Sequence, residues 1–139
     1  MAAITAFPDI MPVQQGQYNN TRSYYAGADI LAGQAVIAGS TAGQVIPATA
    51  SGTTPVLGVA ITQAAAGYLV TVQIDGIAAV ANADASTAIA AGAFVAVGTY
   101  AGAVSAATST LTAIVGQALE PIAGGSYGLI RVAPRTYGA

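Results

Sequence analysis

The chain reads as an all-β protein, a small β-barrel or β-sandwich built from two similar β-units with about eight or more short strands. Two observations lead there. First, ILAGQAVIAGSTAGQVIPA, starting at Ile30, matches IAAGAFVAVGTYAGAVSAA, starting at Ile89. The shared residues include Gly33/Gly92, Val36/Val95, Gly39/Gly98, Gly43/Gly102 and Val45/Val104. Second, the apolar stretches are short, alternate with a period of two, and are punctuated by glycine, as strands and tight turns require.

Residues 1–27 stand apart as an extended N-terminal arm. They hold both methionines, Pro8, Pro12, three of the seven tyrosines and a Gln/Asn cluster. The prolines forbid a regular helix and favour extended chain. No apolar period is sustained. Tyr and Arg are favoured at interfaces, so Phe7, Pro8, Tyr18, Arg22, Tyr24 and Tyr25 are the candidate partner contacts. The alternative is a terminus packed on the chain's own barrel.

Residues 28–139 form one β-domain of two repeats, about 30–76 and 89–134. QAVIAG and GQVIPA pair across AGSTAG, and AFVAVG and GAVSAA pair across VGTYAG, because glycine tolerates the positive φ of hairpin turns. PVLGVAIT then matches AIVGQALE, and AAAGYLVTVQI matches IAGGSYGLIRV, with one residue lost in a loop. In YLVTVQI, Leu69, Thr71 and Gln73 alternate with Val70, Val72 and Ile74. Between the repeats, Asp84 and Ser86 can cap one short helical turn through STAIAAG. Two units with one apolar face each bury those faces together. Two repeats are too few for an open solenoid, which favours closure.

Composition excludes several classes. Of 139 residues only 6% are charged, with three arginines, five acids and a net charge of −2. Nucleic-acid binding needs several cations to neutralise phosphates, and none cluster here. The uncharged run 86–116 is long enough to span a bilayer. It is Ala-rich, broken by glycines beside Ser and Thr, and lacks the flanking Lys or Arg that set topology. A membrane protein is not expected. The start MAAITAFPDI lacks a basic segment and a continuous apolar core, so no secretory leader is expected. A surface so poor in charge is badly suited to a lone chain, and an assembly would hide much of it.

Catalysis finds little to work with. Histidine, cysteine and lysine, the usual acid–base and nucleophilic groups, are absent. No zinc, calcium or phosphate-loop pattern appears, so no metal, cofactor or enzyme activity is expected. Asp75, in QIDGIA, is the most site-like acid. It reads either as one of a hydrolase's carboxylate pair or, preferably, as an Asp-Gly turn.

The ordered set of ILAGQAVIAG…GQVIPA, VLGVA, YLVTVQIDGIAAV, IAAGAFVAV…GAV and IVGQALEP…GGSYGLIRV resembles the small capsid cement (head decoration) proteins of tailed bacteriophages. The resemblance covers residues 28–134. It implies a compact, non-enzymatic β-protein made in the host cytoplasm and carried on the outer surface of the expanded head. It implies trimers that tie major capsid protein subunits together, with the N-terminal segment running along the shell. A tail or fibre adaptor is the alternative within phage structure, and a carboxylate-dependent hydrolase the alternative outside it.

Overall fold

The computed structural model describes residues 20–49, 54–82, 84, 86–98, 102–107 and 113–136. Among them lie nine strands: β1 (Asn20–Ala26), β2 (Ala35–Ala38), β3 (Gln44–Pro47), β4 (Gly58–Ala60), β5 (Leu69–Ala81), β6 (Phe94–Val97), β7 (Val104–Ala106), β8 (Ala113–Ala118) and β9 (Tyr127–Thr136). The strand order is β1-β3-β2-β4-β5-β9-β8-β6-β7, and β1 also pairs with β5. That extra pairing closes the first five strands into a barrel. The second unit repeats the plan, and a parallel bridge between Asn82 and Val104 links β5 to β7.

The repeat is carried in backbone hydrogen bonds. Ile30 and Ala64 exchange amide bonds, as do Ile89 and Ile122. The Gly33 amide donates to Ala60, and Gly92 to Ala118. Gly39 donates to Gln44, and Gly98 to Ala103. Ala26 donates to Tyr68, and Asn82 to Ser126. The last pair makes β1 the counterpart of the C-terminal half of β5. Each unit therefore has five strands.

Asn20–Ala26, which the sequence reading gives to the arm, is thus an integral strand. It runs antiparallel to β5, with Tyr25 opposite Leu69, and parallel to β3, with Ala26 opposite Val45. Residues 1–19 lie outside the described residues.

No helix occurs among the described residues, so the short helical turn expected after Asp84 is corrected to an irregular turn. Local side-chain bonds compete there with helix formation. The Asp84 carboxylate accepts from the Ser86 amide at 3.0 Å and its hydroxyl at 2.9 Å. Ile89 is meanwhile held extended by its bridge to Ile122. Asp75-Gly76 is not a turn either. Asp75 pairs with Asn20 and Gly76 with Val132, inside the 13-residue β5. Gly76 has φ 117°, which only glycine adopts readily, at the point where β5 leaves one barrel and enters the other.

The first core is Ala26, Ile30, Val36, Val45, Ala60, Val70 and Val72. The larger core fills the second unit and reaches Ala35, Ile37, Ala48, Val56 and Val59 of the first. Consecutive β2 residues thus face opposite ways, as a strand requires: Val36 points into its own barrel, and Ala35 and Ile37 point into the neighbour. Gly58 and Gly116 hold matching places on β4 and β8. A Cβ on either would collide with a backbone carbonyl, of Gln73 or of Arg131.

The two interiors are filled differently. Val70 and Ala64 of the first unit correspond to Gly128 and Ile122 of the second. The Ile122 side chain fills the space a Gly128 Cβ would need. Large and small have changed places, which conserves volume. Ile122→Ala is expected to cost about 2–5 kcal/mol, and Gly128→Val alone is expected to destabilise by overpacking. The double variant should lose clearly less than the sum of the two, in denaturant melts analysed as a double-mutant cycle.

Candidate interaction surface

The acids mostly serve the fold. Asp29 accepts from the Ala66 amide at 3.0 Å, tying the entry to the first unit to a distant turn. Glu120 accepts from the Leu129 amide at 2.9 Å. Bonds from Ser86, its amide first and then its hydroxyl, hold the Asp84 carboxyl below its usual value. Asp75 is exposed in mid-strand and lines none of the grooves below. Among the described residues no three His, Cys, Asp or Glu side chains gather as metal ligands. Nor does any described helix cross a membrane's width.

The apolar surface is more informative. Of the six expected contact residues, Phe7, Pro8 and Tyr18 lie outside the described residues. Arg22, Tyr24 and Tyr25 sit on β1, where alternation sends them to different faces. Tyr24 is half-buried against the first core. Tyr25 is 57% exposed and stands opposite Leu69, which is 58% exposed. Tyr68, beside Leu69, is also well exposed. Arg22 is exposed on the strand face that carries Tyr24. One aromatic–aliphatic pair on the first barrel therefore joins Tyr25 and Leu69.

A second patch lies at the seam of the two barrels. A groove of about 520 Å³ is lined by Ile61, Ile77, Tyr127 and Leu129, with Thr21 and Gln73 as polar members. Tyr127 lays its ring over Gly33, where a Cβ would come 2.7 Å from the ring. Its four large apolar side chains are all exposed. Alternation in the second unit puts Tyr127, Leu129 and Arg131 outward and Gly128, Ile130 and Val132 inward. No local pattern announces this groove, because its walls come from β1, the end of β4, β5, β9 and the Gly33 turn. Such exposed apolar patches mark interaction surfaces.

A family model described as phage cement protein matches residues 13–134. The chain belongs to the phage cement protein family. The resemblance read over residues 28–134 is borne out, and the match begins earlier, within the segment expected to be an arm. Cement proteins are structural, so this chain is a structural phage protein and a component of the virion. Among solved structures, it is similar to the head fiber gp8.5 N base of bacteriophage phi29, with a TM-score of 0.59 and 18% identity. The alignment covers 83% of this chain and 94% of that one. At this identity the likeness is one of fold. No curated protein sequence matches the chain.

Asp75 belongs to neither patch. Asp75→Asn removes neither a turn nor a buried charge, so stability should change by less than about 0.5 kcal/mol in denaturant melts.

Proposed function

We propose that this protein cements the phage head: it binds the outer surface of the expanded capsid as a homotrimer and ties neighbouring major capsid protein subunits together. The observation that carries this reading is the cement family match across most of the chain. The surface agrees with it. A chain with 6% charged residues that exposes Tyr25, Tyr68, Leu69, Ile77 and Tyr127 has apolar area suited to partners.

Capsid contact is assigned to the N-terminal segment, through Phe7, Pro8, Tyr18, Arg22, Tyr24 and Tyr25. Each contact can be modest. Three arms on one trimer bind together, so avidity multiplies them. Arg22 and Tyr25 offer open side chains for this, while Tyr24 offers only its uncovered edge.

The second reading is a base for a head fibre or a tail adaptor, favoured by the fold shared with the phi29 head fiber base. Quantitative mass spectrometry of purified virions separates the two. A shell-wide cement should be present at close to one copy per major capsid protein. A handful of copies would move the protein to a fibre, vertex or tail, and none would overturn both readings.

The arm is tested by truncation. Removing residues 1–19 keeps β1, so the shortened protein should melt like the full chain yet fail to saturate expanded capsids in a co-sedimentation assay. Removing residues through Ala26 would also take out β1 and open the first barrel. Only the shorter deletion isolates the arm. Saturation by the chain lacking 1–19 would refute the assignment.

A further inference from the structure

The walls of the seam groove stand open. Ile61, Ile77, Tyr127 and Leu129 are 42%, 52%, 65% and 43% exposed. Large apolar side chains gathered so openly around one cleft suit an apolar guest. Gln73 adds a polar feature. It is only 3% exposed, lines the groove, and donates through its Nε2 to the Asp75 carbonyl. The oxygen of its carboxamide is the acceptor end, and an extended backbone carries the N–H donors to meet it.

The chain carries such a guest close to the groove. Nine of residues 1–13 are Ala, Ile, Met, Phe or Val. Pro8 and Pro12 favour extended backbone there, so less freedom is lost on docking. Residues 14–20, QQGQYNN, form a spacer that is polar apart from Tyr18 and Gly16. The spacer ends at Asn20, and Thr21 already lines the groove. Seven residues span at most about 25 Å. The apolar block is therefore confined near the groove of its own chain, at an effective concentration of order millimolar. A separate copy must compete from dilute solution. Charge agrees with this placement. Asp9 is the one charged residue of the block. Arg131 is exposed on β9 and stands opposite Ile77 of the groove wall.

We propose that the seam groove is the docking site for this chain's own N-terminal segment, residues 4–13, lying extended with Phe7 and Pro8 against Tyr127 and Asp9 toward Arg131. A tethered segment of this kind opens locally before the barrels unfold, so its presence leaves the global melt unchanged. Docking itself takes nothing from capsid binding. Only one consequence rests on the capsid reading above: the groove is then where Phe7 and Pro8 are held until the shell displaces them.

Fluorescence of the full chain tests the docking. The chain has no tryptophan, so Phe7→Trp is a single reporter. Its emission should be blue-shifted and shielded from acrylamide. Adding Ile77→Glu, at an exposed position opposite Arg131, should shift the emission to the red and open it to the quencher, with an unchanged circular dichroism spectrum. If Ile77→Glu disturbs the fold, Ile61→Glu just past β4 gives the same reading. Water-exposed emission with the groove intact, or a blue emission that neither Glu moves, overturns the proposal. Phe7→Cys with Ile77→Cys, in a chain without cysteine, shows whose segment it is. Oxidation should close the disulfide within one chain. Free thiols, or disulfides joining two chains, would refute docking of the chain's own segment. Every readout is taken on free protein, and capsid saturation is read separately by co-sedimentation, so either reading can fail while the other stands.

Discussion

β5 belongs to two barrels at once, and the rest of the structure hangs on that. Its N-terminal half pairs with β1 and β4, its C-terminal half with β9. Val70 and Val72 point into one core, and Ala78 and Val80 into the other. Side chains alternate strictly along a strand, so both cores must lie on the same side of this one strand. A slip of one residue would turn both sets of side chains out to solvent together. Each fully buried Val is worth about 1.5–3 kcal/mol, so register here is strongly fixed. Gly76 lets the strand change partners midway without a turn.

Duplication also explains why so few charges suffice. Two units that bury faces in each other need little polar surface between them. Three of the acids, Asp29, Asp84 and Glu120, accept from backbone amides. They tie down backbone donors at Ala66 and Ser86 in turns and at Leu129 in β9. What remains outside is largely apolar or neutral, which suits a virion component held among many neighbours.

The places where the repeats diverge carry the most information. Ala26 of the first unit is matched by Asn82, which is 1% exposed and donates to the Thr87 carbonyl at 2.9 Å. That buried amide anchors the turn that leads into the second unit. Val59 is matched by Gln117, which donates to the Gly92 carbonyl at 2.9 Å. A fully buried apolar position of the first unit is therefore a half-buried polar one in the second.

By itself the sequence determined the β class, the duplication and the family. Those rest on local and periodic signals: Gly39/Gly98 and Gly43/Gly102 at paired turns, the alternation around Val70 and Val72, and an ordered set of motifs. It misplaced what depends on distant partners. Asp75-Gly76 has the local chemistry of a turn, yet strands on either side of it hold it straight. STAIAAG can start a helical turn, yet Ile89 is claimed by Ile122. Asn20–Ala26 shows no apolar period because only Ala26 is fully buried, and its place in the barrel comes from β5 and β3. The seam groove arises only where β1, β5 and β9 meet. Tertiary structure decided these because pairing energy comes from residues far apart in the chain, and no local pattern records where they come together.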